Sequence, residues 1–476
     1  MSESAAIHGE LPTESDVSAL LERLAREYLV PGAQFAVRHR GEVRTFLHGV
    51  AARSSGEPVT ADTLFPLGST TKLVTATLLM QLVSDGDIEL DAPIGPLLPE
   101  LAEAPGPLRE STVRQLLSHT AGLPDMPATE HDPSLRACVA AGAGVELLSE
   151  PGRVFSYSNL GYTVAGRLLE AVTGLSWWDA ARSFVLQPLG VPSGFLGAAP
   201  DAPGGLAGPA PQTAQHAVHL PTSSVHPVEE PGLPKALVPA GALVTSAAGL
   251  LRLSGPHHGA DGPDVLEPEL LEEMRRPVTD APLHGLAEGW GLGLAVHTDG
   301  AGRRWYGHDG NTGGATCALR FHPESGTAVA LMTNATSGRQ MGNQLFEELA
   351  ALGWEIGRVP APAGEEPLAG AALRAAADEV CGAYSSGGET VKVRAEADGR
   401  LVLDRPQLPP ARLELHPGLT FRLRTEPEGA RGDARHGSDE SRDLYSFVRD
   451  SRTGRVGGMY LSGGRLQVRE GTGRLG

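Results

Sequence analysis

The stretch Leu67-Gly68-Ser69-Thr70-Thr71-Lys72-Leu73-Val74 sets a serine behind a glycine, with a lysine three residues on, at the head of an apolar run. A helix opening at Ser69 and running to Ser84 places Ser69 and Lys72 one turn apart on nearly the same face. Its N-terminus then brings unpaired N–H groups and a positive dipole end beside the hydroxyl. Serine acts as a nucleophile only with a base in hydrogen-bond reach. Lysine is a base only where burial or a neighbouring cation favours its neutral form, and Thr71, Leu73 and Val74 suit burial. Three lysines occur in the whole chain, Lys72, Lys235 and Lys392, so this placement makes Ser69 the candidate nucleophile.

Two later motifs complete an acyl-transfer set. In Tyr157-Ser158-Asn159, the phenol of Tyr157 can relay a proton. Asn159 can orient Lys72 and hold a substrate amide carbonyl. In His308-Asp309-Gly310, the glycine permits close approach on a strand expected over Trp305 to Asn311, and His308 can donate to Tyr157 or Ser69. The N–H groups of Ser69 and Asn311 then suit an oxyanion hole, typically worth about 3 kcal/mol. His119 is expected to be structural. His257-His258 lacks further ligands at zinc-like spacing, so neither a metal nor a cofactor is implied.

Composition narrows the class. The 476 residues suggest two to three domains, and the net charge of −18 with no basic run argues against a nucleic-acid partner. Cys138, Cys317 and Cys381 are odd in number and lack C-x-x-C spacing, so unpaired thiols are expected. Neither a basic, apolar leader over Met1 to Asp16 nor a membrane-length apolar run is visible, and the reading is a soluble cytoplasmic protein without a membrane partner.

Periodicity orders the elements. Helices are expected over 15–29, 69–84, 111–118, 161–173 and 340–354, and strands over 33–38, 43–50, 291–297, 315–321 and 327–333. Residues 198–238, rich in Pro, Ala and Gly, read as a long loop. Pro360-Ala361-Pro362 marks a linker. Beyond it, short strands over 390–395, 400–403, 411–415, 419–424, 444–449, 456–461 and 464–468 suggest a small all-β barrel or sandwich, with 425–443 a long connection. The expected division is a catalytic domain over 1–358, a linker over 359–368 and a β-domain over 369–476.

With these residues in view, the chain resembles the serine penicillin-recognising superfamily: class C β-lactamases, D-alanyl-D-alanine carboxypeptidases, D-aminopeptidases and related esterases. The resemblance runs through Gly86-Asp87-Ile88-Glu89-Leu90-Asp91, Leu116 to Leu123, Pro151 to Asn159, Pro188-Leu189-Gly190 and Pro239-Ala240-Gly241. It implies a class C β-lactamase-like α/β sheet domain with a helical lobe, and Ser69 acylated in the groove between them. Lysine usually stands where His308 does in β-lactamases, and the absent leader further disfavours a periplasmic or cell-wall enzyme.

A signal-less member with a lipocalin-like tail is most similar to penicillin-binding-protein-type thioesterases, stand-alone cyclases of nonribosomal peptides. That resemblance implies transfer of a peptidyl chain from a carrier-protein thioester to Ser69, then head-to-tail macrolactam formation, with a D-configured C-terminal residue. A peptidyl carrier protein and a peptide substrate are the implied partners. Arg449, in Tyr445-Ser446-Phe447-Val448-Arg449-Asp450, is the candidate β-domain contact to a carboxylate or carbonyl. An esterase or D-amino-acid-specific peptidase of the same fold is the alternative, and a β-lactamase or a non-catalytic scaffold is less favoured.

Overall fold

The computed structural model describes residues 12–102, 106–125, 133–196, 213–228, 233–259, 263–278, 283, 286–359, 366–406, 408–424, 444–461 and 463–476. The Pro360-Ala361-Pro362 linker and the 425–443 connection fall outside the described residues, as does much of 198–238.

A seven-stranded antiparallel sheet forms the centre of the α/β unit. In spatial order its strands are Glu42–Gly49, Gly32–His39, Thr327–Thr333, Thr316–His322, Arg304–Asn311, Ala295–Thr298 and Gly289–Trp290. Position in the sheet explains the sequence of each strand. Thr327–Thr333 lies between two long neighbours and is buried throughout, so it reads as a near-continuous apolar run. Glu42–Gly49 is an edge strand and leaves Val43 and Leu47 exposed.

The helices Glu14–Glu27 and Gly338–Ala351 cover one face of the sheet with Leu20, Leu21, Leu24, Met341, Leu345 and Leu349. The other face meets a helical lobe, whose larger core includes helix Lys72–Ser84 and helix Asn159–Thr173. Helix Lys72–Ser84 is buried nearly all round, from Lys72 through Met80. A polar head on an otherwise apolar helix therefore enters the core with it. Gly174 ends helix Asn159–Thr173 in a left-handed conformation, φ 71°, as a C-terminal glycine does.

The second unit is a closed barrel of eight antiparallel strands running from Gly382–Ser386 to Arg465–Arg469. Closure removes the edges that a sandwich would expose. Helix Gly370–Val380 plugs it with Ala377 and Val380. The barrel and the α/β unit share an apolar cluster of Leu148, Phe155, Tyr157 and Trp290 with Tyr460, Leu466 and Leu475. The C-terminus contributes to this contact: Leu475 N donates to Leu148 O (3.0 Å) and Glu150 N donates to Leu475 O (2.9 Å).

Three sequence expectations are revised. The α-helix begins at Lys72 rather than Ser69, and Gly68–Thr71 is a 3₁₀ turn that opens on Gly68 at φ 48°. Within 198–238 the described residues include a two-stranded hairpin, His216–His219 with Ser224–Pro227. Helix Gly370–Val380 and strand Gly382–Ser386 were not expected, since Ala-rich and Gly-Ala-Tyr-Ser-Ser sequences carry little apolar alternation. None of the three cysteines forms a disulfide, and Cys138 and Cys317 are buried.

Candidate active site

Two glycines bring the first and third motifs together. A Cβ on Gly68 would stand 2.4 Å from Asn311 O, and one on Gly310 would stand 1.8 Å from Leu67 O. Only glycine at both positions lets the serine turn lie against strand Arg304–Asn311. The turn is anchored from below by Leu67 N donating to Leu243 O (2.8 Å) and Leu243 N donating to Thr71 Oγ1 (3.1 Å). Ser69 is thereby raised into the groove with the backbones of Gly68-Ser69 and Gly310-Asn311 side by side.

The second motif is placed by its own helix cap. Ser158 Oγ accepts from Gly161 N (3.2 Å) and donates to Pro124 O (2.7 Å), so Asn159 becomes the first helical residue. His119 Nδ1 accepts from Ser158 N (3.1 Å), and its ring stacks on Tyr157 at 4.1 Å. His119 holds φ 58°, a left-handed backbone that tight surroundings must impose.

These elements converge on Lys72. Its Nζ lies 3.2 Å from Ser69 Oγ, 2.8 Å from Asn159 Oδ1 and 3.0 Å from Ala240 O. The side chain is fully buried, and desolvation pulls its pKa down from 10.5 to about 7, against the attraction of Asp125. A neutral amine has two N–H bonds and one lone pair. A carbonyl oxygen and an amide oxygen only accept, so Ala240 O and Asn159 Oδ1 take the two N–H bonds. The lone pair is left for the Ser69 hydroxyl, the arrangement a general base requires.

Tyr157 and His308 line the same groove in an aromatic box with Trp290. His308 lies 5.1 Å from Trp290 and 6.4 Å from Tyr157, ring centre to ring centre. Burial pushes the Tyr157 phenol up, and Ser69 and Arg465 temper that shift. Its hydroxyl lies close enough to Ser69 for that neighbour to lower the phenol, but forms no hydrogen bond of good geometry in this arrangement among the described residues. Burial, with Lys72 nearby, lowers His308 to about 3, so the imidazole is neutral. His308 Nδ1 contacts Asp309 O at 2.5 Å, and Nε2 is buried without a partner among the described residues. Burial resists ionisation of Asp309, but Arg320 (2.5 Å) outweighs it and holds the carboxylate at about 2.

The structure does not bring Arg449 to this groove. Its guanidinium forks onto Glu379 and Gly454 O on the barrel itself. The barrel arginine at the groove is Arg465, whose guanidinium carbon lies 5.3 Å from the Tyr157 ring centre. Arg465 Nε donates to Asp125 Oδ2. Asp125 in turn accepts from Asn159 N (2.8 Å) and faces Asn159 Nδ2 at 3.4 Å. Neither Asp125 nor Arg465 was singled out from sequence; their one signal was position, beside Leu116 to Leu123 and after the Gly463-Gly464 turn. Among the described residues, no helix is long and apolar enough to cross a membrane.

The chain has relatives among known proteins and solved structures. The β-lactamase family model matches residues 17–353. Penicillin-binding protein 4 of Amycolatopsis lactamdurans is 34% identical over 73% of this chain and 94% of its own length. The crystal structure of SurE is 38% identical, covers 96% of this chain and 98% of its own, and superposes with a TM-score of 0.79; SurE has also been solved with D-Leu. A D-stereospecific amidohydrolase from Streptomyces sp. is 26% identical over 70% of this chain and 99% of its own, with a TM-score of 0.57.

Proposed function

The chain belongs to the β-lactamase family, and on that premise we propose a serine acyltransferase that takes a peptidyl thioester from a carrier protein and releases it as a head-to-tail macrolactam. The observation that carries the acyl-transfer reading is the bonding of Lys72, whose lone pair is left to Ser69.

In the proposed reaction the Ser69 proton passes to Lys72 as Oγ attacks the thioester carbonyl. N–H groups of Ser69 and Asn311 face the developing oxyanion. The C–S bond breaks, and the thiol leaves with a proton returned through Lys72 and Tyr157. The peptide's own N-terminal amine then attacks the Ser69 ester. An amide forms, the ester C–O bond breaks, and Ser69 regains its proton. Neutral His308 suits a hydrogen-bonding role toward Tyr157 or Ser69, and offers no fixed charge for an antibiotic carboxylate.

Cyclisation rather than hydrolysis is favoured by the barrel. Gly464 O accepts from Tyr157 N (3.1 Å), and Tyr460 OH donates to Phe155 O (2.7 Å), so the barrel packs directly on the second motif. A barrel seated beside the groove would limit water after acylation and leave a tethered amine as the nearest nucleophile. The match to SurE extends over both units, and its D-Leu complex suits a D-configured residue at the acyl position. The amidohydrolase likeness favours a second reading, a D-specific hydrolase with the same serine.

One experiment separates them. A synthetic peptidyl thioester ending in a D-residue is expected to give mainly cyclic peptide by mass spectrometry. Linear acid alone would reject the cyclase and leave the hydrolase.

A further inference from the structure

Asn159 can serve Lys72 only if its amide oxygen, and not its amide nitrogen, faces the amine. Oxygen and nitrogen of an amide have nearly the same shape, so the neighbours must choose. Here Asp125 chooses: one carboxylate oxygen takes Asn159 N–H and the other faces Nδ2, which turns Oδ1 toward Lys72. The carboxylate is in turn gripped by Arg465, 340 residues later in the chain, on the last barrel strand. We propose that Asp125 is a positioning residue, and that Arg465, Asp125 and Asn159 form a relay through which the barrel sets the orientation and charge of Lys72.

The surroundings of Lys72 make this relay its electrostatic control. The titratable groups facing it among the described residues are Tyr157, Tyr162, His119, His308, Asp125 and Arg465. Burial keeps both tyrosines protonated and both histidines neutral. The carboxylate of Asp125 and the guanidinium of Arg465 are therefore the charges that Lys72 feels, and they act in opposite directions. Asp125 favours the ammonium, and Arg465 favours the free amine. Their pairing balances the two while fixing the geometry.

This inference rests on Lys72 acting as the base for Ser69, and its test separates the two ideas. Release of free thiol from a D-terminated peptidyl thioester reports acylation whether the product is cyclic or linear. Wild type should show an acid limb in kcat/KM near pH 7, where Lys72 loses its proton. Asp125→Asn should lower kcat roughly 100-fold through misplacement of Asn159 and move the limb to lower pH. Arg465→Gln should move it to higher pH, and Arg465→Lys should restore it. Opposite shifts cannot come from partial unfolding. A wild-type limb near pH 7 that neither variant moves would overturn the relay. Absence of thiol release from wild type would instead overturn the acylation reading.

Discussion

The two sides of the groove are built on opposite principles. The α/β side presents Lys72, Tyr157 and His308, all titratable and all pushed toward their uncharged forms because burial disfavours their ions; Lys72 loses its proton at about pH 7. The barrel side presents Arg465, a permanent charge, only partly buried and paired with Asp125. A proton-transfer set has to be dry to hold a lysine near neutrality, and a dry site cannot also carry unpaired charge. The Asp125 charge on the α/β side is therefore matched by one from the second unit, on a side chain anchored elsewhere. In the function proposed above, the α/β unit supplies reactivity, and the barrel supplies orientation and exclusion of water.

The largest expected break falls on the α/β side. Lys72→Met should reduce thiol release by about 10²- to 10⁴-fold, the usual contribution of a positioned general base. It should also stabilise the protein. The folded pKa of about 7 lies below the unfolded 10.5, so the unfolded chain binds more protons between those values. Wild-type stability contributed by this residue therefore rises with pH across that window, and its cost is complete below pH 7. Thermal melts should show Lys72→Met with a higher Tm at pH 7 and a flatter pH dependence. An unchanged or lower Tm would contradict burial as the cause of the shift.

A smaller effect is expected where the barrel is held down. Deleting Leu475 and Gly476 removes a buried side chain and its two backbone hydrogen bonds to Leu148 and Glu150. The docking should weaken by about 2 kcal/mol from the lost apolar burial. Thiol release should persist while product shifts from macrolactam toward linear acid, measured by chromatography of the two products. An unaltered product ratio would separate the barrel's docking from water exclusion.

What the sequence made legible divides along the same line. Ser69, Lys72 and Asn159 lie in short motifs whose spacing carries their geometry, and the structure gathers them within hydrogen-bond reach. The fully apolar strand Thr327–Thr333 and the amphipathic helix Glu14–Glu27 are equally local patterns. Asp125 and Arg465 are not local: their meeting depends on how two units dock, which no spacing encodes. Arg449 shows the limit most clearly. Its strand pairing shifts register between Val448 and Arg449, and this irregularity accompanies a side chain turned to Glu379. Alternation read from sequence assumes an unbroken strand and could not choose between the two arginines.

The most direct test of the account is the covalent intermediate. Intact-protein mass spectrometry, on wild type mixed with a D-terminated peptidyl thioester above pH 7, should show one peptidyl adduct that maps to Ser69 on digestion. Ser69→Ala should show neither adduct nor thiol release. An adduct on another residue, or undiminished thiol release from Ser69→Ala, would contradict it.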